Sequence, residues 1–340
     1  MRVVRNSENP IVVPGGAAYR RAAVFNPGVI RFRGRYLMYE RAAASLKPFR
    51  TSIGLLASED GVRFEPVSDE PVFASEALGF PEGSIEDARV VEIEGKVYMT
   101  YALQPYGFDC WPNGVSVPEY YPENYPGWDA AGLPRMMTRS GIAVSDDGVV
   151  FRQVGYVTPA DMDDRDCVLF PEKIGGRFVL LRRPMSYVGP SYGTDRPGIW
   201  ITESDDLSAW TRPRLVAVSE RLWEGRKIGA AATPLRVEAG WLVLYHGVDE
   251  RNAYRVGALL LDAEDPSRVI ARTSEPIMES EAYYEKFGLV IPNVIFPTAN
   301  LLEGGTVVLY YGCCDTCIGR AEFALTELLG ELRPARGASR

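Results

Sequence analysis

Histidine occurs once in this chain of 340 residues, at position 246, and no basic stretch offsets a formal net charge of −8. A single imidazole rules out the histidine-rich ligand sets of many metal centres. Acidity without a local basic patch excludes nucleic acid and anionic membrane as partners. No segment approaches the roughly 18 consecutive apolar residues of a membrane span. The N-terminal MRVVRNSENPIVVPGG lacks the apolar run of a secretory leader, so a cytoplasmic location is expected. Cysteine is sparse too: Cys313, Cys314 and Cys317 cluster in GCCDTC, while Cys110 and Cys167 stand apart. The Cys314–Cys317 spacing is half a zinc site with no second pair or histidine nearby. An odd count in a reducing compartment argues against disulfides, and buried small hydrophobes are expected, with no metal. The acidic run DMDDRDC (161–167) lacks the ligand spacing and glycine of a calcium loop and reads as a polar loop ahead of the next strand.

What is present is a repeat. Five hairpins, at 29–43, 88–102, 168–184, 234–248 and 298–315, each turn on glycine between apolar segments. Their alternation around the turn predicts antiparallel strands with one face buried. A third strand follows each of them, at 52–64, 140–151, 197–210, 255–270 and 318–325. Tyr36, Val97, Phe178, Leu242 and Val307 occupy equivalent places, 61, 81, 64 and 65 residues apart. Strand-only repeats of this length predict an all-β, five-bladed β-propeller. A closed ring overrides the two-domain prior from length, so residues 1–340 are expected to form one domain.

Two segments interrupt the pattern. Residues 104–139 lengthen the second blade and carry Tyr106, Phe108, Trp111, Tyr120, Tyr121, Tyr125 and Trp128. Long inserts in compact domains are usually functional or disordered, and this aromatic content argues against disorder. The insert suits either a sugar-stacking subsite or a rigid flap that packs on its own blade or on a neighbouring subunit in a homo-oligomer. The polar run from about 330 to 340 reads as a flexible tail.

Polar residues at the hairpin boundaries are the candidates for chemistry, because a propeller brings equivalent positions to one end of its channel. Asp87, in GSIEDARV, stands just before the inner strand of the second blade, either capping backbone amides there or lining the channel. Arg165 precedes the third hairpin and Arg182-Arg183-Pro184 ends it; Lys227 precedes the fourth and His246 ends it. Each alone suits a surface ion pair. Together they make an anion site of phosphate size, with arginine as a planar fork, lysine as a point charge and histidine as a donor.

The strings EDARV, DRDCVLFPEKI, LLRRP, KIGAAATP, LYHGV and YYGCCDT resemble the mannoside phosphorylases of glycoside hydrolase family 130, over residues 26 to 332. The resemblance, to the β-1,4-mannosyl oligosaccharide phosphorylase type, implies a five-bladed propeller that cleaves β-mannosides with inorganic phosphate. The products are α-mannose 1-phosphate, formed with inversion, and a shortened sugar. It implies Asp87 as the general acid, acting through the 3-hydroxyl of the mannose being cleaved. Arg165, Arg183, Lys227 and His246 are implied as phosphate ligands, and Asp315 as a sugar contact. Arg41, Arg50, Glu86 and Arg182 are implied as further substrate contacts, Arg182 standing where many members carry histidine. Inorganic phosphate is a co-substrate, and no cofactor is expected.

The chemistry has its own logic. An inverting hydrolase needs two carboxyl groups, one to activate water, roughly 6.5–9.5 Å apart. Phosphate is already a nucleophile, so phosphorolysis needs one acid and a cation cluster. Asp87 must then be protonated near neutrality, through burial or a neighbouring anion such as Glu86. The alternatives are a β-mannoside hydrolase on the same fold and a non-catalytic carbohydrate-binding propeller.

Overall fold

Both members of four hairpin turns have positive φ: Arg33-Gly34, Glu94-Gly95, Gly175-Gly176 and Gly304-Gly305. Such turns match the twist of the strands they join, and glycine at the second place keeps them unstrained. In this computed structural model, which describes residues 1–105, 138–160 and 162–335, these four hairpins and a fifth that turns between Val237 and Gly240 form the inner halves of five antiparallel sheets. Blade one runs Ala23–Phe32, Arg35–Ala43, Thr51–Ser58 and Glu65–Pro66; blade two runs Ser84–Ile93, Lys96–Gln104, Arg139–Ser145 and Arg152–Tyr156. Blade three is Asp164–Leu169, Phe178–Pro184, Ile199–Ser204 and Arg214–Ala217. In blade four the inner strand is split into Lys227–Ala230 and Leu235–Val237, followed by Gly240–Val248, Tyr254–Leu261 and Val269–Thr273. Blade five is Ile295–Glu303, Thr306–Cys313 and Cys317–Ala324. Its outermost strand comes from the other end of the chain, Val4 pairing with Glu322 and Arg5 with Ala321. The five-bladed propeller predicted from the repeat is the architecture observed.

Five apolar seams hold the ring, one between each pair of neighbouring blades. Leu37, Tyr39 and Leu55 meet Val90 and Met99 between blades one and two. Val91 and Ile142 meet Leu169 and Leu180 between two and three, and Leu181 and Ile201 meet Trp241 and Val243 between three and four. Leu244 and Val256 meet Leu309 and Phe323 at the fourth seam, and Tyr310 and Ile318 meet Met38 and Leu56 at the closing one. Packing on both sides changes one expectation. Gly240–Val248 is buried at every position, not along one face, because a middle strand in a propeller lies between two other sheets.

The run from about 330 also differs from the expected tail. Leu325–Glu331 is helical, and Leu332–Pro334 pairs with Val269–Thr273 as an extra edge strand on blade four. The sequence there is polar because that edge faces water on one side. Cys167, Cys313, Cys314 and Cys317 are buried and unbridged, and no metal-ligand cluster occurs among the described residues. The Cys314 thiol donates to the carbonyl of Glu285 at 2.9 Å, tying the last hairpin to the segment before blade five. Cys110 and the aromatic residues of the 104–139 insert lie outside the described residues. No helix among the described residues is long and apolar enough to cross a membrane.

Candidate active site

The inner strands of blades one, two and three share a device that aims polar groups inward. Each has a bulge near its start, between Phe25 and Gly28, Glu86 and Arg89, and Arg165 and Val168. Inside each bulge one residue adopts a left-handed backbone: Asn26 at φ 45°, Asp87 at 53° and Asp166 at 52°. Asparagine and aspartate tolerate this conformation better than most residues, and a bulge re-aims a side chain out of the pleat. All three line one cavity of about 140 Å³, together with Arg41, Glu86, Arg165, Arg183, Lys227, His246, Tyr254, Phe296 and Asp315.

Arg41 organises the wall formed by blades one, two and five. Its Nη2 donates to Glu86 at 2.6 Å, its Nη1 to Asp87 Oδ1 at 3.1 Å and its Nε to Thr51 at 3.1 Å. Asn26 Nδ2 donates to the same Asp87 oxygen at 2.8 Å. Burial pushes the Asp315 carboxyl up to about 6, with Arg41 opposing and Asp87 reinforcing the shift. Burial likewise raises the Glu86 carboxyl, against the pull of Arg41 and with a push from Asp87. Glu86 and Asp315 therefore hold protons more readily than free carboxyl groups do.

Blades three and four supply the cationic wall. Arg165 pairs with Asp163, Nε to Oδ1 at 3.0 Å. Arg183 Nε donates to Asp166 Oδ2 at 2.6 Å, and His246 Nε2 lies 3.4 Å from the same oxygen. Burial would raise the Asp166 carboxyl, but Arg183 and Arg89 outweigh it and hold the group well below the usual range. Burial pulls His246 down to about 3, leaving a neutral ring, and Asp166 only partly offsets this. The Lys227 side chain makes no ion pair or hydrogen bond among the described residues; its ammonium sits 5.6 Å from the centre of the Tyr254 ring. Burial, then Arg183 and Arg165, bring Lys227 down to about 7. Room for this crowding comes from Gly229, where a Cβ would strike Asp166, His246 and Arg183.

Eight sequence candidates therefore converge: Arg41, Glu86, Asp87, Arg165, Arg183, Lys227, His246 and Asp315. Two do not join them. Arg182 stands opposite Trp200 in the neighbouring strand and donates from Nε to Asp164 at 2.8 Å, because adjacent residues on a strand face opposite sides and Arg183 takes the channel side. Arg50 pairs with Glu82 and is absent from the cavity lining. The reading of 161–167 as a polar loop is also corrected. Asp164–Leu169 is the innermost strand of blade three, and Asp164 and Asp166 are buried against arginines. Asn26 and Asp166 were missed although a signal existed. Asn26 and Asp87 both stand eight residues before their hairpin glycines, Gly34 and Gly95, and Asp166 stands in the matching place of a hairpin with a longer turn. Arg89 escaped as well; it donates to the Asp87 carbonyl at 2.8 Å and to Asp166 at 3.3 Å.

Comparison with known proteins finds relatives along nearly the whole chain. A family model described as β-1,4-mannooligosaccharide phosphorylase matches residues 3–108 and 134–333. The 1,2-β-oligomannan phosphorylase of Thermoanaerobacter sp. (strain X514) is 34% identical over 336 residues, 96% of this chain and 99% of that protein. A β-1,2-mannobiose phosphorylase from the same organism is 35% identical over 94% of this chain and 96% of its own length. The solved β-1,2-mannobiose phosphorylase from Listeria innocua, in complex with β-1,2-mannobiose, matches with a TM-score of 0.77 at 24% identity. That match covers 97% of this chain and 99% of that one, and it carries the fold.

Proposed function

The chain belongs to glycoside hydrolase family 130, a family of β-mannoside phosphorylases, and we propose that its cavity transfers a β-linked mannosyl group to inorganic phosphate. The observation that carries the proposal is the division of one cavity between a carboxyl-bearing wall and a wall of two arginines, a lysine and a histidine. Arg165, Arg183, Lys227 and His246 hold phosphate beneath the anomeric carbon, Arg183 as a fork and Lys227 as a point charge. Asp87 gives its proton toward the glycosidic oxygen, by way of the sugar 3-hydroxyl, while Arg41, Glu86 and Asp315 hold the mannose.

A phosphate oxygen forms a bond to the anomeric carbon as the bond to the leaving sugar breaks on the opposite face. The product is α-mannose 1-phosphate. The leaving oxygen departs as a hydroxyl, and the proton of hydrogen phosphate restores Asp87, so the count closes without a second base. In this reading the cation wall replaces the water-activating carboxylate of an inverting hydrolase.

Incubating the protein with β-1,4- and β-1,2-mannobiose, with and without phosphate, tests the reading. Mannose 1-phosphate is expected only when phosphate is present. Free mannose released equally in both conditions overturns it in favour of hydrolysis, and binding without any product overturns it in favour of a carbohydrate-binding propeller.

The proposal also sets a pH dependence. Lys227 loses its proton near pH 7 in the free site and must regain it to meet an anion. As pH rises through 7, the phosphate KM should climb by up to about tenfold per unit. Phosphate itself titrates nearby, so the diagnostic quantity is the ratio of wild-type to Lys227→Met phosphate KM. That ratio should rise toward one above pH 7; a ratio flat between pH 6 and 9 removes Lys227 from the phosphate contacts.

A further inference from the structure

Resting on the phosphorylase reading, we propose that Asp166 is the positioning residue of the phosphate half of the site, fixing the side chains that three blades contribute. Asp166 is 4% exposed. Its Oδ1 accepts from Arg89 of blade two at 3.3 Å, and its Oδ2 takes Arg183 of blade three at 2.6 Å and faces His246 of blade four at 3.4 Å. No other carboxylate among the described residues contacts Arg89, Arg183 and His246 together.

The backbone points the same way. Asp166 takes its left-handed conformation inside a bulge of blade three that matches the one aiming Asp87 in blade two. Such a conformation persists only where the surroundings enforce it, and it gathers at functional sites. Here it lifts a carboxylate out of the strand to a point between blades, which an ordinary pleated residue would not reach.

Charge gives the second reason. A carboxylate in the wall of an anion site repels the anion, so its presence demands a compensating gain. Arg183 supplies it: Asp166 engages the side nitrogen Nε, and Nη2 has no protein acceptor among the described residues. The guanidinium is thus held from behind with part of its outer edge open. Without the carboxylate, Arg89 and Arg183, both 3% exposed, would repel each other and His246 would have no polar neighbour on Nε2. With its oxygens engaged by Arg89 and Arg183, Asp166 acts in this proposal through Arg183 and His246.

The test is steady-state kinetics of Asp166→Asn and Asp166→Glu, each substrate varied at saturation of the other. For Asp166→Asn the phosphate KM is expected to rise about 10- to 100-fold, the size of effect that a misplaced binding group produces. The mannoside KM is expected to stay within about twofold. Asp166→Glu keeps the charge and should give a phosphate KM between the two, and it also reads the split should the asparagine variant not fold. An unchanged phosphate KM overturns the proposal, and so does a parallel rise in both KM values. If the wild-type chain cleaves without phosphate, the phosphorylase reading fails on its own account. Phosphate affinity by calorimetry then still judges Asp166, and equal affinities in wild type and Asp166→Asn overturn its role.

Discussion

Asp87→Asn should leave a folded propeller that cleaves β-mannobiose about 10²- to 10⁴-fold more slowly, the range that general-acid help contributes. The substitution is nearly isosteric, and the amide oxygen still accepts from Asn26 and Arg41, which now reach Asp87 at 2.8 and 3.1 Å. What disappears is the transferable proton. An activated mannoside, whose leaving group departs as a stable anion, needs no such proton and should retain most of its rate in the variant. That contrast separates loss of an acid from loss of binding. Glu86 and Asp315 are the competing acids, since burial raises both carboxyl groups. If Glu86→Gln or Asp315→Asn slows mannobiose more than the activated donor, and Asp87→Asn does not, the acid must be reassigned.

Gly229→Ala is expected to be nearly as damaging, although it adds one methyl group and removes no functional atom. The new Cβ would lie 2.6 Å from His246 Cε1 and 2.9 Å from Arg183 Nε, and closer still to an Asp166 oxygen. None of these is a loose surface end: His246 is fully buried, and Arg183 and Asp166 are locked to one another. Relief therefore requires the phosphate wall or the strand Lys227–Ala230 to move. Overpacking of this kind costs about 1–3 kcal/mol of stability, and a displacement of about 1 Å in a binding group costs on the order of 10²-fold in rate. Denaturant midpoints together with kcat/KM for phosphate check both effects. Wild-type turnover in Gly229→Ala would show that the wall is not held as tightly as its contacts suggest.

The propeller was legible because each blade repeats a two-strand unit around a glycine turn whose backbone has few sequence solutions. Features carried by single residues were harder to read. The Val4–Arg5 strand has two residues and no periodicity, so ring closure left no local trace. In the site, Asp87, Arg183, Lys227 and His246 could be read because they stand at hairpin boundaries and in strings that resemble a known family. Arg182 was carried along by that resemblance, and only the alternation of the strand separates it from Arg183. Asp166 was hidden by its neighbours, since an acidic run looks solvated until its arginine partners, distant in sequence, are brought against it. Asn26 carries no charge, and only its spacing from the hairpin glycine, shared with Asp87, marks it in the sequence.

The pairing of Val4 with Glu322 has a consequence for timing. Chains emerge from synthesis in order, and early segments usually settle first. Here the first strand cannot find its partner until almost the whole chain exists, and contacts this distant in sequence make for slow folding. A half-made chain would already contain Asp87 and Arg41, yet Lys227, His246 and Asp315 would still be absent. Catalytic competence therefore arrives late, after the fifth blade is made and captures a strand synthesised long before it.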